Sequence, residues 1–448
     1  MTPMDRRSFL ALGAVAPLAR IVQRTRRPNL LLILADDLGY GDLSRFGRPD
    51  YRTAHLDQLA REGLTFTNAY AAASTCTPSR TGLMTGRYPA RFSAGLQAPM
   101  VWVNDKDGLS PDIPTLPSRL KAAGYRTALV GKWHLGYLPE QGPLKHGFDE
   151  FFGIKSGGVD YFTHDGPKGE KDLWEGEVPI ERAGYFTDLL TNRAIEVLSR
   201  RAASPFYLSL HYTAPHWPWE GPLDGHGPKP THPFVDGGSA KVYAEMVASL
   251  DRGIGRVMEA LGRAGKDRDT LVIFTSDNGG ERYSYNWPFS DQKFSLYEGG
   301  IRVPAAVRWP GRIPAGRTTS QVAITMDWTA TFLARAGVDT DPSRPLDGID
   351  LLGVATGAPP VPRTLFWRQH YGGRPRMFAA RRAQWKFLRI DDAKHLFDLE
   401  SDPGERGDLA QAEPARLAEL EDAWNQWNAA LPPIQTSQPP APITRPSL

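Results

Sequence analysis

The sequence predicts an α/β protein with a mostly parallel sheet covered by helices, followed by a small antiparallel unit. Three observations predict it. Four long apolar runs each stop abruptly in polar or charged residues. Segments of helical periodicity lie between those runs. Beyond about residue 362 the long runs give way to short strand-like stretches joined by turns.

Taken in chain order, the first 26 residues carry a targeting pattern and are set aside from fold reasoning. Arg6 and Arg7 precede Ser8, Phe9 and Leu10, and an apolar run ends near Ala19, as in a twin-arginine export signal. That run is too short to cross a bilayer. Pro17 directly after Ala14 to Ala16 obscures the cleavage site. The expectation is a periplasmic or secreted protein that the twin-arginine translocase exports already folded, with no stable membrane span.

The first strand is NLLLILADD, ending in Asp36 and Asp37, and it is apolar throughout because a strand in a helix-covered parallel sheet is buried on both faces. TALVGKWHLG follows with Lys132 and His134 at its end, then PFYLSLHYTAPH with His216, then TLVIFTSDNGG with Asp277 and Asn278. Helical patterns fill the gaps at 55–63, 116–124, 187–202 and 243–265. Ligands of open α/β sheets sit outside the carboxyl ends of the strands, so the four polar sets are expected in one crevice. The main unit is read as residues 27–355. The Pro- and Gly-rich stretch 353–363 is read as its boundary, 362–431 as a small α+β unit with a terminal helix, and 432–448 as a proline-rich tail.

Composition narrows the function classes. Net charge is only +3 and the Lys and Arg residues form no long basic block, so nothing favours a nucleic-acid partner and none is expected. A single cysteine, Cys76, leaves an exported chain without any internal disulfide, so stability rests on packing.

Asp36, Asp37, Asp277 and Asn278 are hard oxygen donors suited to calcium, or secondarily magnesium; the absence of clustered cysteines or paired histidines disfavours zinc. Arg80, Lys132, His134, His216 and Lys293 add cationic and imidazole groups near the same crevice. A divalent cation beside such groups suits a tetrahedral oxyanion, a sulfate or phosphate ester. In CTPSRTGLMTGRYPAR, Thr77 is expected to cap a helix and Pro78 to be its first residue, placing Cys76 at the positive end of the helix dipole, where a thiol is activated. Cys76 then reads either as a residue reserved for modification or as a cysteine nucleophile, with a small buried residue as the plain alternative.

CTPSR with the downstream TGR resembles the signature of the type I sulfatases, and LADDLGYGD, GKWHLG, TAPH, SDNGG and the lysine before YEGGIRVP agree with it in order and spacing, from about Pro28 to Leu409. The resemblance implies an alkaline-phosphatase-like α/β/α sandwich with a small C-terminal antiparallel sheet. It also implies oxidation of Cys76 to formylglycine by a formylglycine-generating enzyme. Asp36, Asp37, Asp277 and Asn278 would bind calcium with the modified Cys76 completing the set. Arg80 and Lys132 would hold the formylglycine, His134 would contact its hydroxyl, and His216 and Lys293 would bind the sulfate from the leaving-group side. In such a site one hydroxyl of the hydrated aldehyde attacks sulfur and the other then expels sulfate, which explains a single retained thiol.

Ser290, Asp291 and Gln292 depart from the arginine and glycines of many relatives. Phosphonate or phosphate ester hydrolysis, and a non-catalytic sulfated-glycan binder lacking the matured cysteine, are the rival readings. Aromatic and polar residues in 155–176, HWPWEGP (216–222) and SYNWPF (284–289) point to a sulfated saccharide as substrate, with Asp160, His164 and Glu220 as candidate hydroxyl contacts.

Overall fold

The computed structural model describes residues 27–93, 96–100, 107–225, 237–371 and 374–434. The export signal and the end of the proline-rich tail lie outside the described residues. Strand β1 (Asn29–Ala35) sits in a ten-stranded sheet with β2 (Leu64–Tyr70), β3 (Arg126–Lys132), β4 (Glu150–Ile154), β5 (Trp174–Glu175), β6 (Val178–Pro179), β7 (Phe206–His211), β8 (Thr270–Ser276), β9 (Ala305–Arg308) and β10 (Arg317–Ile324). The order across the sheet is β10-β2-β9-β8-β1-β7-β3-β4-β5-β6. The four strands expected from sequence are adjacent and parallel at its centre, β8-β1-β7-β3. Antiparallel pairing enters only through β9 and the two short edge strands.

Alternation along β1 assigns its residues to two cores. Leu31 and Ile33 pack with Leu190, Ala194, Leu250 and Ile254 from helices Phe186–Ser199 and Ala240–Arg263. Leu30, Leu32 and Leu34 pack on the other face with Leu83, Leu120 and Phe332 from helices Cys76–Thr85, Leu116–Ala122 and Thr325–Ala336. This is the α/β/α arrangement, and it accounts for the absence of polar residues inside NLLLILA.

The short runs after 362 form a second, antiparallel sheet of β11 (Thr364–Gln369), β12 (Met377–Arg382), β13 (Trp385–Ile390) and β14 (Ala393–Asp398), closed by helix Pro414–Ala429. Here the period of two separates the faces. Met377 and Ala379 join Tyr70, Leu296 and Ile324 of the main body, whereas Phe378 and Ala380 meet Leu420 and Trp424 of the helix. Helix Leu352–Thr356 occupies the front of the stretch read as a boundary loop.

Candidate active site

The carboxyl ends of β1, β3 and β8 bring Asp36, Asp37, Lys132, Asp277 and Asn278 together, and the segments after β3 and β7 add His134 and His216. Asp37 and His134 have φ of 62° and 56°, the left-handed region that non-glycine residues rarely adopt and that concentrates at functional positions.

The helix carrying Cys76 differs from the sequence expectation. It begins at Cys76 itself, with Thr75 as N-cap, and Pro78 is its third residue. Thr77 does not cap; its hydroxyl accepts the Met100 N–H at 3.1 Å. The thiol is not activated either. It is 2 % exposed, and burial, only partly opposed by Lys132 and Lys293, pushes it up to about 12. Burial here outweighs the helix dipole, which is worth at most about 2 kcal/mol in favourable partly buried geometries. An unmodified Cys76 is therefore a neutral thiol at neutral pH, which counts against the cysteine-nucleophile reading.

Ligand atoms of Asp36, Asp37, Cys76 and His216, all buried, lie within 4.8 Å of one another. Asp36 Oδ1 and Asn278 Oδ1 are buried and take no hydrogen bond from a described residue. Two carboxylates and an amide oxygen beside them form a hard-oxygen set that fits calcium or magnesium better than zinc. Asp277 stands slightly apart: its Oδ2 accepts from Arg80 Nε at 3.1 Å and lies 2.9 Å from Nη2, while Oδ1 accepts the Asp37 N–H at 3.3 Å.

Three buried cations face the three buried carboxylates. Lys132 Nζ lies 2.5 Å from Asp36 Oδ2, Lys293 Nζ lies 2.6 Å from Asp37 Oδ2, and Arg80 reaches Asp277 and, at 3.5 Å, Asp36. Burial opposes ionisation of Asp36, but Lys132 foremost among its neighbours holds it well below the ordinary carboxylate range. Burial raises Asp37 to about 7 against the pull of Lys293, and burial with the Asp36 charge raises Asp277 to about 6. Six opposed charges with no net formal excess leave a bound dication as the group that would give the pocket a positive balance toward an anionic ester.

The two histidines are held by backbone carbonyls, which can only accept, so each bond fixes a tautomer. His134 Nε2 donates to Met100 O at 2.7 Å, leaving Nδ1 an unprotonated acceptor that is buried and without a partner among the described residues. His216 Nδ1 donates to Trp217 O at 2.5 Å and turns Nε2 toward Asp37 Oδ2, 3.7 Å away. Burial first, then Lys132 for His134 and Lys293 for His216, hold both rings well below the ordinary histidine value.

Several contributors escaped sequence reasoning. Tyr207, Ser209 and His211 share one face of β7 and form a buried ladder: Tyr207 OH donates to Ser209 Oγ at 3.0 Å, and Ser209 Oγ pairs with His211 Nε2 at 2.8 Å. His211 Nδ1 lies 3.2 Å from Arg80 Nη1 and 3.1 Å from Lys132 O; unprotonated it accepts from Arg80 and protonated it donates to Lys132 O, so it holds one of the two at a time, while Arg80 Nη1 itself donates to Lys132 O at 3.0 Å. The signal was present in PFYLSLH as polar residues at alternate positions of an apolar strand. From the small sheet, Tyr371 bonds Thr75 at 2.7 Å, and Gln369 bonds Ser74 and, at 2.7 Å, Phe294 O. The second unit thus grips the residues flanking both Cys76 and Lys293.

The saccharide candidates fare differently. Asp160 accepts the N–H groups of Phe162 and Thr163, Glu220 accepts that of Tyr161, and His164 is buried with Nε2 on Gly184 O. Through these bonds all three take part in holding the segment around residue 160. Trp287 is 57 % exposed, next to Tyr285 with ring centroids 6.4 Å apart.

A sulfatase family model matches residues 28–338, and the model of the N-sulphoglucosamine sulphohydrolase C-terminal region matches 285–425. Canine (Canis lupus familiaris) N-acetylgalactosamine-6-sulfatase is 35% identical over 370 residues, covering 76% of this chain and 68% of that protein. Human (Homo sapiens) arylsulfatase A is 33% identical over 459 residues, covering 88% and 86%. The crystal structure of Ps i-CgsB in complex with k-i-k-neocarrahexaose superposes with a TM-score of 0.81 at 32% identity, covering 90% of this chain and 93% of that one. A phosphonate monoester hydrolase of Agrobacterium radiobacter, at 21% identity and a TM-score of 0.66 over 90% and 96% of the two chains, shares the fold.

Proposed function

The chain belongs to the sulfatase family and is a sulfuric ester hydrolase, and from that premise we propose that it releases sulfate from a saccharide, with formylglycine at position 76 and a bound calcium ion. The carrying observation is the convergence on Cys76: buried Asp36 and Asp37 oxygens share its surroundings, and the acceptor-only Nδ1 of His134 is buried with no described partner. A cation at Asp36, Asp37, Asp277 and Asn278 would supply Lewis-acid polarisation and charge neutralisation. The aldehyde at position 76 would supply, on hydration, the nucleophilic hydroxyl and the means of expelling sulfate.

The chain's own residues do the rest. Arg80 and Lys132, rigid because every contact around them is buried, hold the geometry at position 76 and neutralise charge there. His134 Nδ1 takes the proton whose loss triggers sulfate release, since its other nitrogen is occupied by Met100 O. Proton delivery to the leaving oxygen falls to Lys293 or His216. Lys293 is favoured, because Asp37 keeps its ammonium protonated against burial, whereas neutral His216 has its single N–H on Trp217 O. The saccharide assignment is supported by the similar structure solved in complex with a neocarrahexaose and by exposed Trp287 beside the half-buried Tyr285 ring. Export through the twin-arginine translocase rests on Arg6 and Arg7 ahead of Ser8, Phe9 and Leu10 and on the short apolar run that follows. Among the described residues no helix is long and apolar enough to cross a membrane.

The test is expression with a formylglycine-generating enzyme, peptide mass analysis at residue 76, and sulfate release from defined sulfated saccharides and from nitrophenyl sulfate, phosphate and phosphonate. Full activity with an unmodified thiol would refute the formylglycine assignment. Faster phosphonate cleavage would overturn the sulfate preference, and turnover of aryl sulfate alone would overturn the saccharide.

A further inference from the structure

We propose that the cavity formed by Tyr137, Lys155, Lys168, Lys171, Asp172 and Trp174 receives a second anionic group of the saccharide, a sulfate ester or a uronate carboxylate, beside the one that is hydrolysed. The proposal rests on the sulfatase reading above and deepens it.

Position supports it first. Lys155 follows strand β4, and its carbonyl accepts the His134 N–H at 3.2 Å. Two residues later, a Cβ on Gly157 would stand 2.9 Å from the His134 ring, and one on Gly158 would stand 3.2 Å from His216 Nδ1. The segment Lys155–Gly158 therefore lies against both active-site imidazoles, and Tyr137 is three residues past His134. A cavity of about 260 Å³ opening beside that segment has room for a charged ring substituent.

Charge supports it second. Lys155 is 6 % exposed, and its ammonium stands 3.6 Å from the Trp174 ring centroid. No described carboxylate lies within ion-pair distance of it. Contact with a ring face leaves the ammonium hydrogens available to an acceptor. The acids in the same wall are already engaged. Asp172 accepts the N–H groups of Lys155, Ser156 and the Trp174 indole, at 3.1, 2.8 and 2.8 Å, which fixes the loop and the ring beneath the lysine. Glu170 accepts the Lys168 N–H at 2.8 Å, and Lys171 pairs with Asp165 and Glu181 at 3.1 and 3.3 Å. A buried cation in no close ion pair with a described residue, with Asp172 and Glu177 acting on it only at longer range and beside a site that binds anionic esters, is a charge-assisted anchor for another anion.

The test uses the matured full-length enzyme and competition against nitrophenyl sulfate hydrolysis. The probes are N-acetylgalactosamine 6-sulfate, its 4,6-disulfate, and a uronate-containing disaccharide 6-sulfate. The second anionic group is expected to tighten inhibition about tenfold, a gain that shrinks as salt rises. Lys155→Gln should remove most of that gain and Lys155→Arg should retain it; the disulfate and uronate arms identify which anion is read. Equal inhibition by singly and doubly charged probes, no inhibition by any of them, or the same loss for all probes in Lys155→Gln would overturn the proposal. Failure of the matured wild type to release sulfate from nitrophenyl sulfate and from every one of the saccharide probes would instead remove the sulfatase reading, and calorimetric binding of the same probes would still decide the subsite.

Discussion

Replacing Arg80 by methionine removes a fully buried guanidinium while keeping much of its bulk. The side chain is 0 % exposed and touches Asp277 Oδ2 through Nε and Nη2, Asp36 through Nη2, and Lys132 O through Nη1. Arg80→Met leaves three buried carboxylates facing two lysines, with Asp277 losing its ion-pair partner, and removal of one partner from a buried ion pair costs about 3–5 kcal/mol. At about 2.1 cal/mol/K of unfolding entropy per residue, a chain of this length loses roughly 1 °C of Tm per kcal/mol, so the expected fall is about 3–5 °C. Differential scanning fluorimetry in EDTA measures it. Added calcium should recover part of the loss in the variant, because the cation neutralises the same carboxylates. Arg80→Lys, which keeps the charge but not the planar fork, should fall between. A shift below 1 °C in EDTA, or no recovery with calcium, would refute the view that Arg80 is the main counter-charge to Asp277.

His134→Ala removes a buried imidazole nitrogen that has no partner among the described residues, and kcat should drop about 10²–10⁴-fold with covalently sulfated enzyme visible by intact mass; accumulation of free substrate alone would reassign the residue. Burial and the nearby Glu298 push Glu405 up to about 7, so its contribution favours the folded state below its ordinary value near 4.5 and is lost as pH rises through about 7. Glu298, held at about 2 by Lys386 and Arg302 against burial, titrates below that window. Glu405→Gln should therefore flatten the decline of Tm between pH 5 and pH 8, whatever its absolute Tm, and an unchanged slope would exclude the assignment. Trp424, buried with Nε1 on Trp367 O at 3.0 Å, holds the terminal helix to the small sheet. Its alanine variant should lose about 3–5 kcal/mol and expose the 364–429 region to limited proteolysis first.

The sequence by itself determined the central strands and where each ends. A run such as NLLLILA buried on both faces is a local signal, and parallel topology obliges its polar terminus to face the ligand crevice. Hence Asp36, Asp37, Lys132, His134, His216, Asp277 and Asn278 were legible before any coordinates. Only the tertiary structure decided what depends on partners distant in sequence. Thr75, not Thr77, stands at the N-cap of the Cys76 helix and makes no side-chain capping bond: Tyr371 engages its hydroxyl, and the Thr77 hydroxyl accepts the Met100 N–H. The Cys76 thiol is raised, not activated, because desolvation inside the packed site exceeds the helix-end field. Which imidazole nitrogen is free on His134 follows from a carbonyl 34 residues away. The contact of Arg80 with His211 spans 131 residues and the bond of Ser74 to Gln369 spans 295, and no local periodicity encodes such pairs. Burial and hydrogen-bond satisfaction are properties of the whole packed chain, so they set the protonation and orientation of side chains whose identities the sequence had already supplied.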